Sequence, residues 1–349
     1  FNMQFSLFLH MERYQGDKSH QQLFEELCEL VKIAEASGFR TAWIGEHHGM
    51  QFTSSPSPVA QLSYLAAKTD RIRLGAGTFV APFWDPIRLA GESALLDVIS
   101  GGRLEFGIAR GAYQFEFDRM TNGMQASEGG AALREMVPAI RGLWKGDYSH
   151  QGEVYNFPTT TSVPKPLQQP LPPIWIAARD PASHDFAVAN GCNVMVTALM
   201  KGDEEVADLA QKFNTACADH PEVDRPELMF LRHTYVHEET DSEGWQRGAE
   251  ALQRFYRYFF AWFKNDQQAV DGFFKPASEE DVASNPEFSL ESLHRNMMIG
   301  TPSELVERLK KYEALGITEY SYWTDNTLPF EEKKRSLELF ASEVMPHFK

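Results

Sequence analysis

Short apolar runs rich in β-branched and aromatic residues alternate along the chain with longer stretches whose apolar positions recur every three or four residues. The first pattern predicts strands buried on both faces, the second amphipathic helices. Residues 4–9 read as a strand, and 21–37 as a helix with Leu23, Leu27, Leu30, Val31 and Ala34 on one face and Gly38 as its stop. Strands at 41–45, 72–75 and 104–108 follow, separated by helices at 57–68 and 86–99, the latter with Pro86 in its first turn. A helix at 131–144 closes this half. Between 146 and 173 the rhythm breaks in a proline-rich excursion with room for one small hairpin at 148–156. The alternation restarts with strands at 174–178, 193–197, 228–236 and 317–323, and with helices at 182–190, 204–217, 242–263, 302–315 and 329–345. A second irregular insert covers 264–299.

Eight strands alternating with helices predict an α/β fold, a (β/α)8 TIM barrel with irregular inserts after strands 4 and 7, as a single domain over 3–349. The length of 349 residues also allows two doubly wound domains, but no GxGxxG turn opens the first strand–helix unit.

Composition works mainly by exclusion. Apolar content of 43% with 23% charged residues is ordinary for a globular enzyme. A net charge of −16 without a basic stripe argues against nucleic-acid or anionic-membrane binding. Cys28, Cys192 and Cys217 are odd in number and lack metal-ligand spacing, so neither a disulfide framework nor a metal site is predicted. With no apolar run long enough to span a bilayer and no export signal, a cytoplasmic enzyme is expected.

Catalytic groups of such a barrel sit at the carboxyl ends of its strands. The second strand runs through Trp43-Ile44-Gly45 into Glu46-His47-His48, a carboxylate beside two imidazoles that titrate near neutral pH. The first leads through Phe8 towards His10, Met11, Glu12, Arg13 and Tyr14, and the third through Gly77 and Thr78 towards Trp84. The fourth ends in Ala109-Arg110-Gly111-Ala112-Tyr113 and the fifth in Ala178-Arg179-Asp180. Small residues let backbone approach a flat ring, aromatics make walls, and arginine suits a phosphate. Asp180 and Pro181 read as a helix cap and first turn, where free N–H groups and the Ser183 hydroxyl can receive a phosphate. Each feature alone also fits an ordinary role: a plain cap, a structural histidine, a salt-bridge arginine. The aromatic cluster from Phe255 to Phe263 reads as helix packing, and Glu279-Glu280-Asp281 as a solvated loop.

Taken in order, these blocks resemble the bacterial-luciferase-like flavin monooxygenases. The resemblance rests on Trp43 to His48, Leu74-Gly75-Ala76-Gly77-Thr78, Pro86 to Ala90, Ser100 to Gly111, Ile174 to Gly191 and Ile299-Gly300-Thr301-Pro302. It implies a TIM barrel that binds reduced FMN (FMNH2) for reaction with dioxygen. His47 then falls at the catalytic histidine, as an acid/base group, and His48 is read as structural. Arg110 falls at the phosphate-contacting arginine, with Ala178, Arg179, Asp180 and Ser183 in the phosphate loop. Gly77-Thr78 falls at a non-prolyl cis peptide under the flavin ring, Ala112 and Tyr113 border the ring, and Phe8 and Trp84 line the substrate side. The second insert corresponds to a mobile lid. Ala109 replaces the reactive cysteine of luciferase, Arg179 an acidic residue, and Thr197 and Ala198 replace tryptophan-rich positions, so light emission is not expected.

The function this implies is the oxygenase component of a two-component monooxygenase, fed by a separate NAD(P)H:flavin reductase because the chain shows no nicotinamide fingerprint. The substrate classes implied are an aldehyde or ketone, a terpene, or a nitrogen heterocycle. A homodimer is implied too, pairing the helices after the second and third strands. Two alternatives are a deazaflavin-dependent hydride-transfer enzyme on the same fold and a non-catalytic flavin-binding partner subunit. The Glu-His-His corner speaks against the first, and retention of His47 against the second.

Overall fold

The computed structural model describes residues 2–263 and 268–349. Eight strands form the barrel: β1 (Gln4–Phe8), β2 (Thr41–Ile44), β3 (Arg73–Val80), β4 (Leu104–Ala109), β5 (Ile174–Ala177), β6 (Asn193–Thr197), β7 (Leu228–Val236) and β8 (Glu319–Trp323). Neighbours pair in parallel around the ring, β8 pairs with β1, and β6 pairs with β7, so the sheet closes on itself. Parallel closure puts every strand's carboxyl end at one mouth, as the sequence pattern predicts.

Local chemistry sets the helix ends. The Ser19 side chain accepts from the Gln22 N–H to start the helix His20–Ser37, and Gly38 takes φ 89° to stop it. Asp85 accepts from the Ile87 and Arg88 N–H groups ahead of the helix Pro86–Ile99. The proline-rich excursion holds an antiparallel hairpin, Tyr148–Gln151 with Asn156–Thr160, longer than predicted. Among the described residues, the second insert carries short helices Glu279–Ala283 and Leu290–Asn296 and a strand Met298–Gly300 that pairs with β7. Its first residues, 264–267, lie outside the described residues. The predicted last helix stops at Leu339 and passes into a π turn at Phe340–Val344. A short helix at Gln114–Met120 is not foreseen in the sequence. Two turns are too short to be read from periodicity, and burial of Phe115 and Phe117 holds it in place.

The barrel's lower interior is filled rather than hollow. Trp43 and Trp175 are fully buried there, edge to face at 5.4 Å. Gly75 makes room for the Trp43 ring, which a Cβ at that position would hit. Trp175 donates to Glu105 at 2.7 Å and Trp43 to Glu319 at 3.3 Å. Both carboxylates are fully buried and face Arg40 at 3.7 and 3.6 Å. Arg73 donates to Glu105 at 2.6 Å, and Arg40 also binds the Glu227 carboxylate at 3.0 Å. Burial nonetheless pushes the Glu319 carboxyl up to about 7, against the pull of Arg40. No helix among the described residues is long and apolar enough to cross a membrane.

Candidate active site

Above the two indoles a cavity of about 720 Å³ opens at the mouth, and residues at the ends of all eight strands line it. It brings together Phe8, His47, Gly77, Thr78, Arg110, Ala112, Tyr113, Ala178, Arg179, Asp180 and Ser183. Trp84 is the predicted residue it leaves out. The turn Ala81–Phe83 carries the chain away, so the Trp84 ring packs on Phe79 and under Arg88, and Phe83 takes the place on the wall. Trp84 still touches the site indirectly, donating its indole N–H to Glu46 at 2.8 Å.

The Glu-His-His corner separates into two devices. Glu46 accepts from the Val80 N–H at 3.0 Å and from Trp84 through Oε1, and meets His48 Nε2 at 2.6 Å through Oε2. That carboxylate fastens the end of β3 to the corner. Burial draws the His48 imidazole down, but its bond to Glu46 outweighs this and raises it. His47 instead pairs through Nδ1 with Glu116 at 2.9 Å, while the second Glu116 oxygen accepts the His48 N–H at 2.8 Å. A carboxylate on Nδ1 sets the tautomer and leaves Nε2 free of a hydrogen bond among the described residues. The His47 ring lies 5.1 Å from Trp262 and 5.7 Å from Tyr113.

The Gly77-Thr78 bond is cis. A Cβ at Gly77 would come within 2.9 Å of the Phe8 ring. With Ala109, Gly111 and Ala112 at the end of the neighbouring strand β4, this strip offers backbone and little side chain, as a flat ring needs. At the other end Asp180 caps the helix Pro181–Ala189, accepting from the Ser183 N–H at 2.7 Å. The Ser183 hydroxyl donates to the Asp180 carbonyl and accepts from the Arg179 N–H, so the loop itself already uses the groups proposed for phosphate. Arg179 is half-exposed and ion-paired to Glu205 at 3.0 Å. Arg110 and Arg134 make no ion pair among the described residues, and both line the cavity. Arg134 was not singled out in the sequence. It reaches the site because Gly129, where a Cβ would strike the Arg110 carbonyl, lets the helix Gly129–Lys145 begin against that strand end. Two free guanidiniums beyond a bare backbone strip fit the phosphate and ring of a flavin mononucleotide.

A second lobe is apolar, with Phe8, Leu231, Phe255, Phe259, Trp262 and Trp323 on its walls. The helix Gly244–Ala261 and the turn after it thus serve the site as well as packing, which the all-round aromatic pattern concealed. Two further residues lie here: His10, which the sequence puts on the rim without a role, and Asp325, which it does not single out. His10, at the exit of β1, and Asp325, at the exit of β8, meet at 2.6 Å with side chains only 4% and 3% exposed. Burial, then the neighbouring His47, pulls the His10 imidazole down to about 3, so it is neutral. Arg232 points outward and donates to the Lys201 carbonyl at 2.8 Å, while His233 stacks on Trp323 at 3.8 Å.

The luciferase-like monooxygenase family matches residues 3–319 of this chain. The flavin-dependent trigonelline monooxygenase, oxygenase component, of Acinetobacter baylyi is 54% identical over 346 residues, covering 99% of this chain and 96% of that one. The crystal structure of the monooxygenase RslO1 from Streptomyces bottropensis superposes with a TM-score of 0.83 at 28% identity, over 99% of this chain and 100% of that one. The oxygenating constituent of 3,6-diketocamphane monooxygenase from Pseudomonas putida, in complex with FMN, shares the fold at a TM-score of 0.77 and 19% identity, over 99% of each chain.

Proposed function

The chain belongs to the luciferase-like monooxygenase family and is a flavin-dependent monooxygenase, and we propose that it is the oxygenase component of a two-component system acting on an N-alkylpyridinium carboxylate of the trigonelline kind. The observation that carries the substrate class is the 54% identity, over 99% of the chain, to an oxygenase component named for trigonelline. The site's own charge layout supports it. Arg110 and Arg134 are left unpaired among the described residues on the cavity wall, whose lining also includes Glu46, Glu116, Asp325 and aromatic faces. A cationic heteroaromatic ring is attracted to such walls through cation–π and charge interactions.

When bound, reduced FMN supplies two electrons to dioxygen, one oxygen atom going to the substrate and the other to water. Arg110 and Arg134 would hold its phosphate, and the strip from Gly77 to Thr78 with Ala112 would seat its ring. His47, fixed through Nδ1 by Glu116, would hold or move a proton at Nε2. Phe255, Phe259 and Trp262 exclude water from the cavity.

Two further parts of this reading concern partners. A separate NAD(P)H:flavin reductase delivers the reduced flavin. A homodimer forms over the helices Pro58–Lys68 and Pro86–Ile99, whose Tyr64, Leu95, Val98 and Ile99 are large apolar side chains left exposed.

The test is turnover of trigonelline by the purified chain with FMN, NADH and a flavin reductase under isotopically labelled dioxygen. One labelled oxygen in the product is the expected result. Flavin reoxidation that leaves trigonelline intact would sink the substrate assignment, and no oxygen-dependent reoxidation at all would favour a deazaflavin hydride carrier.

A further inference from the structure

Rings crowd the mouth of the barrel, and seven of them are linked in a closed circuit. His47 lies 5.1 Å from Trp262, Trp262 5.5 Å from Phe259, Phe259 6.0 Å from Phe255, and Phe255 5.8 Å from Trp323. Trp323 lies 5.6 Å from Phe8, Phe8 4.8 Å from His10, and His10 6.0 Å from His47, which completes the circuit. All seven line the cavity of about 720 Å³, and among the described residues no ring contact crosses the circuit from side to side. The rings therefore surround open space, where the two indoles of the floor fill theirs. Each imidazole of the circuit holds a carboxylate at Nδ1, Glu116 on His47 at 2.9 Å and Asp325 on His10 at 2.6 Å. His233 covers one face of Trp323 at 3.8 Å, but burial pulls that imidazole down to about 3, so it brings no charge. Arginine and lysine side chains lie over six aromatic rings among the described residues, and none of the six belongs to the circuit.

We propose that this circuit is the specificity element of the site, a cage that selects an N-alkylated, permanently cationic heteroaromatic ring over an uncharged ring of the same shape, with Trp262 and Phe259 as its principal faces. This rests on the substrate class proposed above and deepens it: the group read is the quaternary nitrogen, not the carboxylate. An aromatic face carries negative charge density and attracts a cation without being charged itself. A quaternary nitrogen has no N–H to satisfy, so a wall of ring faces meets its needs where a hydrogen-bonding acceptor would be wasted. Its charge cannot be lost as a proton, so the attraction holds at every pH. A carboxylate placed in direct contact would have to shed its own water first, a cost that aromatic faces avoid.

The local sequence builds the principal wall. Phe255, Phe259 and Trp262 are spaced by four and three residues, which puts them on one face of the helix Gly244–Ala261 and the turn after it. They are the residues of that stretch that line the cavity, and all three are aromatic. Phe52 packs against both ends of the row, 5.0 Å from Phe255 and 4.7 Å from Trp262, and holds the rings in place. Phe8 ties the cage to the bare strip, since a Cβ at Gly77 would come within 2.9 Å of its ring. A neutral terpene or ketone would be served as well by leucines and would gain nothing from the two carboxylates held on wall imidazoles. Those features have a use only for a cation.

Trigonelline and 3-methylbenzoate share methyl group, carboxylate and outline, and differ in a ring nitrogen cation against a ring carbon. Calorimetric titration of the full chain carrying FMN is expected to show 3-methylbenzoate bound about 30-fold more weakly, the worth of one desolvated cation–π contact. N-methylpyridinium, which keeps the cation and lacks the carboxylate, is expected to bind more tightly than 3-methylbenzoate. Trp262→Leu keeps an apolar wall without the ring face and is expected to cut the preference for trigonelline to about 5-fold or less. Phe259→Leu is the second variant should the first not fold. Equal proportional losses for trigonelline and 3-methylbenzoate are what a merely structural ring would give, and they overturn the cage. Equal binding of the two by the parent, tighter binding of 3-methylbenzoate than of N-methylpyridinium, or no binding of any of the three overturns it too. The substrate assignment fails separately. A parent that prefers N-methylpyridinium to 3-methylbenzoate yet leaves trigonelline unoxidised keeps the cage and loses the assignment, and oxidation of trigonelline with equal binding does the reverse.

Discussion

The floor and the mouth of this barrel both bury carboxylates, and they match them differently. On the floor, Glu105 and Glu319 are held by Arg40, Arg73, two indole N–H groups and the Ser6 hydroxyl. Among these partners the cations are guanidiniums, which do not titrate. At the mouth, Glu46, Glu116 and Asp325 each meet an imidazole instead, at 2.6, 2.9 and 2.6 Å. Of the arginines lining the mouth, Arg179 is ion-paired to Glu205, while Arg110 and Arg134 are left free of carboxylates among the described residues. The cations are thus fixed at one end and titratable at the other, where two guanidiniums are left for a ligand. That division follows the general asymmetry of such barrels, stability below and chemistry above.

The sharpest way to break the comparison is at the mouth. His47→Ala should lower product formation by about 10³-fold, roughly 4 kcal/mol of barrier, while FMN binding and melting temperature stay parental. A variant that unfolds instead would place His47 with the structural charges of the floor.

The floor is tested through pH. The Glu319 carboxyl titrates at about 7 in the folded chain, against 4.5 ordinarily. A raised carboxyl favours folding fully below the ordinary value, and this contribution is lost as pH climbs through the folded one. The parent should therefore lose on the order of 3 kcal/mol of stability between pH 4.5 and 8 from this group. Glu319→Gln should flatten that slope in denaturant melts taken across the range. Equal slopes for both proteins would mean that Arg40 holds Glu319 ionised after all.

Smaller effects separate ligand-directed from structural contacts within the mouth. Arg110→Ala should weaken FMN by about 2 kcal/mol and riboflavin hardly at all; equal losses would remove the phosphate role. Trp84→Phe deletes one hydrogen bond to Glu46 outside the cavity and should cost about 1 kcal/mol of stability. A change in substrate KM with that variant would return Trp84 to the pocket.

Much of this was legible in the sequence. The strand rhythm gave eight strands and hence a rim, and the rim residues His47, Gly77, Thr78 and Arg110 line one cavity. What escaped were partners that are distant along the chain. Arg134 lies inside a regular helix, and Glu116 on one too short to show a period. His10 and Asp325 are 315 residues apart and become neighbours only because β1 pairs with β8. Both stand just past strand ends: the rim rule reached His10 but gave it no role, and it passed over Asp325. Trp84 was misplaced for the converse reason, since a single tight turn decides on which side of β3 its ring falls.

The pairing of β1 with β8 also gives the protein a timetable. Residues 4–8 leave the ribosome long before residues 319–323, and the two must lie side by side before the ring exists. Until then the cavity lacks Trp323 and Asp325, and His10 lacks its partner. A growing or truncated chain therefore cannot assemble a complete flavin pocket, and reduced flavin meeting such a chain has no enclosed site in which to spend oxygen wastefully. Competence arrives all at once, with the last strand.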